Sequence, residues 1–455
     1  MLAILTTHPI QYQVPLWQML ARDGRVPFEV WYLSEHATRL SRDVEFGKEF
    51  AWDLDMLSGY RYRILKTPSG ATPNSFWRSR ITESLPDLFR ETNAKVLWVN
   101  GWQVAAYWQA IWSAHKAGLQ VWMRGESNIL KETTGLRDYG TTTRIQRSAS
   151  GADPTPRSED RNQRSEGNKS TFDLRPLTSG AARQAAKRVL LGQLFRRVDQ
   201  FLCIGTANRE LYRSYRVPES KLHMAMYAVD NDRFRQQAEA IRGRRSEIRD
   251  QWGIPTDSFC VLFCGKFIPK KHPMDLVKAA QMLLASHPEL MTHLLFAGSG
   301  ELGSELRAAC HVVYDAERKP TPDHGPQTTD TDNREQITYN QKPRASFAGF
   351  LNQTEISKAY VAADCLVLPS DYNETWGLVV NEAMASGLPC IISDRCGCAP
   401  DLGALGGNAN FSFANTYDLV EKIAEAASRR DVNRAQSVEL PFFSTAVDIV
   451  ADLYG

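Results

Sequence analysis

Three things are missing from these 455 residues. No apolar run approaches the length of about 20 residues that lets a helix cross a bilayer, so no segment reads as a membrane span. No sign of charge dominates: 54 Lys and Arg stand against 52 Asp and Glu, a formal net charge of +2, and such a balance calls for no nucleic-acid partner. No cysteine pattern with metal-binding spacing is present either. Of the eight cysteines, Cys203, Cys260, Cys264, Cys365 and Cys390 fall in apolar runs, where a free thiol packs as a small hydrophobe. Cys396 and Cys398 have no second pair and no neighbouring histidine, and read as loop residues rather than zinc ligands. Met1 to Leu5 reads as the start of a strand and not as a signal peptide, because His8, Pro9 and Gln11 follow at once. A cytoplasmic protein is the expectation.

What is present fits two α/β domains, since the chain is too long for one ordinary core. Apolar strand-like runs alternate with helical ones: Leu2 to Thr6, Phe28 to Leu33, Val96 to Val99, Gln120 to Met123, Phe201 to Ile204, then Cys260 to Cys264, Leu294 to Ala297, Ala345 to Phe350, Cys365 to Leu368 and Cys390 to Ile392. That alternation predicts parallel sheets with ligand-facing loops at their carboxyl edges. Two polar stretches, about 139–180 and 317–342, hold almost nothing to bury and read as disordered insertions at surface loops.

The most informative stretch is Leu366 to Ile392, LVLPSDYNETWGLVVNEAMASGLPCII. A strand leads through a polar loop to a helix starting near Leu378, which stops at Gly387 ahead of Pro389. Glu374 precedes that helix and Glu382 lies within it, about 12 Å further along the helical rise. The helix start at Gly377 and Leu378 offers free N–H groups and a positive dipole end, a place for a diphosphate. A ligand touching both acids has to be long, as a nucleotide sugar is; the plainer alternative is a pair of solvated acids at a helix start.

The run Pro369-Ser370, Glu374-x-x-Gly377, Glu382-Ala383-x-Ala385-x-Gly387-x-Pro389 resembles the E-x7-E signature of family-4 retaining glycosyltransferases of the GT-B fold. The resemblance implies two Rossmann-like domains facing each other across a cleft, with a nucleoside diphosphate sugar as donor substrate and no cofactor. It also implies that Glu374 contacts the donor sugar and Glu382 the ribose, with Thr375, Trp376, Gly377 and Leu378 lining the donor site. The loop Gly265 to Pro273 stands where that family reads Gly-Arg, four residues, Lys-Gly. Here Lys266 takes the arginine position, keeping the charge without the bidentate fork, Lys271 keeps the lysine, and His272 takes the glycine position. Fixed cations of this kind offset the charge of a leaving diphosphate.

The first half departs further from the family, since the loop after Thr6 lacks its glycine-rich run. His8 is either an acceptor-side residue or an ordinary turn histidine held by Pro9. Arg124 and Glu126 sit at the same sheet edge and read either as contacts to acceptor or donor or as an ion pair supporting their loop. Ala182 to Val198 is a basic amphipathic helix, open to two readings: peripheral contact with an anionic membrane, or a core-packing helix with a solvated face. Asp53-Leu54-Asp55 and Asp330-Thr331-Asp332 mimic the acidic pairs of metal-using transferases. The first lies outside the motif set and the second in a polar insertion, so no metal site is assigned.

The expected organisation is residues 1–232 as the acceptor-side domain, 233–440 as the donor domain, and 441–455 as a helix crossing back to the first. The expected activity is retaining, metal-independent transfer of a sugar to an acceptor hydroxyl on a glycan or lipid-linked acceptor, in cell-surface polysaccharide or glycan synthesis. With Glu374 and Glu382 too far apart for a covalent intermediate, a front-face route guided by the leaving phosphate follows. The alternatives are a non-catalytic nucleotide-sugar-binding or scaffold protein of this fold, or an epimerase.

Overall fold

The computed structural model of the chain describes residues 1–35, 41–43, 48–68, 76–130, 180–318, 342–430, 440 and 443–455. The two polar insertions fall almost wholly outside these residues, as do Asp330 and Asp332.

Two seven-stranded sheets organise the molecule. The first runs, in spatial order, Tyr62–Ile64, Phe28–Tyr32, Leu2–Thr6, Val96–Val99, Gln120–Met123, Gln200–Cys203 and Leu222–Met224. The second runs His311–Asp315, Arg344–Gly349, Thr292–Ala297, Phe259–Cys264, Cys365–Leu368, Cys390–Ser393 and Ala409–Phe411. Every neighbouring pair in both is parallel. Helices cover both faces, as the period of two along the strands requires. Ala3 and Leu5 pack in one cluster of the first domain while Leu2 and Ile4 pack in another. Cys260 and Leu262 face one side of the second sheet and Val261 and Phe263 the other.

The order of strands reverses beside Leu2–Thr6 in the first sheet and beside Phe259–Cys264 in the second. Crevices at the carboxyl ends of strands open at such switch points. They place the loops after Thr6, Val99, Cys264 and Leu368 where ligands bind.

The helix Phe443–Tyr454 returns to the first domain and lies on Val14–Asp23. Phe443, Ala446, Val447 and Val450 are buried there with Leu2, Ile4 and Trp17. Burial of each large side chain contributes about 1.5–3 kcal/mol.

The polar, arginine-rich stretch before Trp252 forms two helices, Asn231–Arg242 and Arg245–Gln251. Asp230 caps the first by accepting from the Arg233 N–H at 3.0 Å. In the second, Arg249 is completely buried, and its Nη2 meets Asp364 Oδ2 at 2.9 Å. Arg245 and Arg430 reach Oδ1 of the same carboxylate, both at 2.9 Å. An arginine-rich helix thus turns its charge inward onto one buried acid.

Helix Gly180–Phe195 puts Leu191, Leu194 and Phe195 into the first domain's core. Arg188 and Arg196 stay exposed, and Arg197 stacks over Trp112, 3.5 Å from the ring centroid. Among the described residues, no helix is long and apolar enough to cross a membrane.

Candidate active site

The two domains meet through loops that follow the carboxyl ends of strands in both sheets. Asn128, after Gln120–Met123, donates to Thr375 O at 3.2 Å. Asp401 accepts from the Thr206 N–H at 2.9 Å and the Thr206 hydroxyl at 2.6 Å. Asp53 accepts from the backbone N–H groups of Gln353 and Thr354, both at 3.1 Å. Asp53, part of the acidic pair weighed above, therefore caps a turn of the opposite domain.

Next to the Asn128–Thr375 contact, within the second domain, Lys271 forms an ion pair with Glu374. Lys271 closes the 3-10 turn Pro269–Lys271, and Glu374 stands four residues before the start of the helix Leu378–Ala385. Their side chains are 18% and 15% exposed, open enough for a ligand to reach and dry enough for the charges to interact strongly. Burial works to lower the Lys271 pKa, but the Glu374 carboxylate and its hydrogen bond prevail and raise it. The cation is fixed in place.

The Lys271 turn ends in a left-handed residue, His272, with φ 49°. That conformation accounts for a glycine at this position in the resembling family, because glycine adopts positive φ without strain. The His272 Nδ1 lies 3.1 Å from Asp275 Oδ2, and its ring meets Phe413 edge to face at 4.8 Å.

Gly265 and Lys266 leave the strand Phe259–Cys264 in an open turn braced by Gly298. A Cβ on Gly298, whose φ is 140°, would stand 1.9 Å from the Gly265 carbonyl oxygen. The Phe267 N–H bonds Ser299 O at 2.9 Å. The glycine turn after Ala297 thus serves close packing against the lysine loop. Lys266 is half-buried in that loop.

Gly377, φ 105°, begins the helix Leu378–Ala385, and no side chain caps it. Its first N–H groups keep their capacity for an anion. Below it, the loop of Cys396 and Cys398 folds under the Glu374 turn, with Gly397 N–H bonded to Glu374 O and Cys398 N–H to Trp376 O, both at 3.0 Å. Both cysteines are completely buried, and burial pushes their thiols well above the usual range.

Glu382 is 3% exposed and burial raises its pKa, with hydrogen bonds from Tyr360 and Tyr12 acting in the other direction. Gln353 Nε2 also approaches, at 3.5 Å. Tyr12, Tyr360 and Gln353 are polar partners that sequence reasoning missed. Tyr12 lies in the first-strand loop already singled out for His8, which was its available signal. For Tyr360 and Gln353 there was none, because their apolar and polar neighbours read only as an ordinary helix and turn.

Trp376 is 2% exposed and turned toward the first domain. A Cβ on Gly205 would stand 2.1 Å from its ring, and its Nε1 donates to Asn381 Oδ1 at 2.8 Å. Thr375 contributes its carbonyl to Asn128. Arg124 is buried and lies 4.6 Å over the Tyr227 ring; burial lowers its pKa, with Tyr227 and Glu126 acting to raise it. Glu126 accepts from the Tyr227 hydroxyl. Arg124 and Glu126 therefore meet through Tyr227 rather than by a direct contact. His8 Nδ1 lies 2.9 Å from the Thr7 hydroxyl, at the edge of the same crevice.

Lys271, Glu374 and the start of helix Leu378–Ala385 thus converge, with Glu382 farther along that helix, while His8, Arg124 and Glu126 line the first domain's side. The arrangement can hold a phosphate-bearing ligand against the second sheet and leave the first sheet's edge for another reactant.

Comparison with known proteins bears on this geometry. A D-inositol 3-phosphate glycosyltransferase from Catenulispora acidiphila is 32% identical over 189 residues, 41% of this chain and 38% of that protein. The chain spans well under two thirds of the length of the curated relatives it matches. The crystal structure of Anabaena Alr3699/HepE in complex with UDP and glucose superposes with a TM-score of 0.54 at 11% identity, covering 99% of this chain and 94% of that one. That of WaaG, a glycosyltransferase involved in lipopolysaccharide biosynthesis, does so with a TM-score of 0.56 at 14% identity, covering 100% and 99%. Residues 244–437 match the family model Glycosyl transferases group 1, and the two-domain α/β fold of the whole chain is GT-B.

Proposed function

We propose that the chain is a retaining, metal-independent glycosyltransferase of family 4 that moves a sugar from a nucleoside diphosphate sugar to an acceptor hydroxyl. The observation that carries the proposal is the Lys271–Glu374 ion pair beside the interdomain contact of Asn128 with Thr375, four residues ahead of a helix start that no side chain caps, within the segment that matches the group 1 family model.

In this reading the diphosphate lies between Lys266, Lys271 and the N–H groups at Leu378, with Gly265 allowing close approach. Glu374 turns from Lys271 to the sugar hydroxyls as the phosphate takes over the lysine, and Glu382 receives the ribose. The bond from the anomeric carbon to the phosphate oxygen breaks while the bond to the acceptor oxygen forms on the same face. The acceptor proton passes to the departing phosphate oxygen. Lys266, Lys271 and the helix start stabilise the charge that builds there, a task performed here by fixed cations without a metal. The acceptor is a glycan or lipid-linked glycan held on the first domain's side near His8, Arg124 and Glu126. For a lipid-linked acceptor, the exposed Arg188 of helix Gly180–Phe195 and Arg196 just after it face the anionic membrane surface from the cytoplasm.

Glu374→Ala is the test. Transfer should fall by at least about a hundredfold, the scale of a lost transition-state contact, while circular dichroism shows the fold kept and the melting temperature falls only by the few degrees that loss of the Lys271 partner costs. Transfer at near the parent rate overturns the assignment.

A further inference from the structure

Asp53 belongs to the first domain, where its neighbours Trp52 and Leu54 pack against the cluster that holds Leu2, Ile4 and Trp17. Its carboxylate crosses the seam and accepts from the Gln353 N–H, the Thr354 N–H and the Thr354 hydroxyl. The two residues before it extend the grip. Ala51 O accepts from Asn352 Nδ2 at 2.9 Å, and the Trp52 ring lies 6.4 Å from the Phe350 ring, centroid to centroid. Three consecutive residues of one domain thus hold the turn at residues 350–354 of the other.

That turn carries Gln353, which is 5% exposed. Arg233, on helix Asn231–Arg242, decides which way its amide faces: Nη1 donates to the Gln353 carbonyl at 3.0 Å and Nη2 to its Oε1 at 2.7 Å. A guanidinium can only donate, so the amide oxygen is the end turned to Arg233 and the amide nitrogen is left for another acceptor. That nitrogen stands 3.5 Å from Glu382 Oε1. A contact of this length is at the outer limit of a hydrogen bond, so a small shift of the turn makes it or breaks it. Asp53 fixes the turn at Gln353 itself, through bonds to an ionised acceptor, which are the stronger kind.

We infer that Asp53 is a positioning residue for ribose recognition: holding the Gln353 turn from the first domain, it aims the Glu382 carboxylate, and the nucleotide is read in full only when the domains are together. This rests on the proposed role of Glu382 toward the ribose. Asp53 acts through Gln353 and not by touching the donor. A second aspartate spans the seam in the opposite direction: Asp401 accepts from the N–H and hydroxyl of Thr206 rather than from the Gln353 turn. Its loss loosens the domains by another route and serves as the control.

The test measures, by calorimetry on the full chain, how much more tightly UDP, GDP and ADP bind than their 2′,3′-dideoxy analogues. The parent should prefer one ribonucleotide by about tenfold or more, and Asp53→Ala should cut that preference to about twofold, the scale of hydrogen bonds lost to a charged group. Gln353→Ala should do the same, and affinity for the dideoxy analogue should change little. Asp53→Asn, which keeps one acceptor oxygen, should recover part of the preference, and Asp401→Ala should retain it. Parent-like preference in Asp53→Ala overturns the positioning role and leaves the ribose role of Glu382 standing; if Asp53→Ala does not fold, Asp53→Asn is read in its place. An equal loss of preference in Asp401→Ala, or equal weakening of ribo- and dideoxynucleotide by Asp53→Ala, assigns the effect to loosened domains and overturns it as well. A parent that binds ribo- and dideoxynucleotide equally, or binds none of the three, overturns both roles.

Discussion

Lys271 and Glu374, 103 positions apart in sequence, form an ion pair between the loop after one central strand and the loop after its neighbour. The pair is mostly buried, so each charge depends on the other. Lys271→Met should lower the stability of the empty protein by about 2 kcal/mol, the cost of leaving a charged group short of a partner. Urea unfolding curves of the parent, Lys271→Met, Glu374→Gln and the double variant measure it. A coupling energy near zero would mean that the pair does not hold its loops together.

Asp364 is completely buried and draws three guanidinium groups and the Cys260 N–H. Asp364→Ala leaves Arg249 buried without its counter-charge. The expected loss is about 3–5 kcal/mol, read as a fall in the urea midpoint. A loss below 1 kcal/mol would show that the arginines find other partners.

His293 is completely buried, and its Nε2 donates at 2.8 Å to the Ser346 hydroxyl, which in turn donates to Trp252 O. Its Nδ1 has no partner. Burial, followed by the charges of Arg344 and Arg249, lowers its pKa from 6.5 to about 3. The unfolded chain therefore takes up a proton that the folded one refuses. This contribution to stability is fully present above pH 6.5 and is lost as pH falls from 6.5 toward 3, with a slope of up to about 1.4 kcal/mol per pH unit. His293→Gln should flatten that part of the stability curve; an unchanged slope would assign the acid sensitivity to other groups.

Gly298→Ala places a methyl group 1.9 Å from the Gly265 carbonyl at a φ of 140°. Strain and clash together should cost about 3 kcal/mol or displace the Gly265–Lys266 loop. In either case nucleoside diphosphate affinity should drop by tenfold or more, measured by calorimetry. Parent-like affinity and stability would contradict the close packing of the two turns.

The fold was readable where burial is two-sided. The strands Phe259–Cys264 and Cys365–Leu368 are continuous apolar runs because helices cover both faces of the sheet, and Gly387 with Pro389 marks the end of the helix between Leu368 and Cys390. Strands at the margins were not readable. Tyr62–Ile64 and His311–Asp315 are largely exposed or half-buried edge strands, so their composition carries little apolar signal. The chemical residues divide in the same way. Glu374 and Glu382 sit at a fixed spacing in one strand-loop-helix unit, and Lys271 in the short loop after the neighbouring strand. Tyr12, Asp53 and Arg249 take their roles from partners on distant segments, and local patterning holds no record of such meetings.

The central claim is that a nucleoside diphosphate sugar binds along Lys266, Lys271 and the start of helix Leu378–Ala385, between Glu374 and Glu382. Its most direct test is calorimetric and thermal titration of the parent, Lys271→Ala and Glu382→Ala with uridine, guanosine and adenosine diphosphate sugars. At a hundred times its dissociation constant one of these donors should stabilise the parent by about 2.7 kcal/mol, and each substitution should weaken its binding by at least about tenfold. Tight donor binding that neither substitution alters would place the ligand elsewhere and contradict the account.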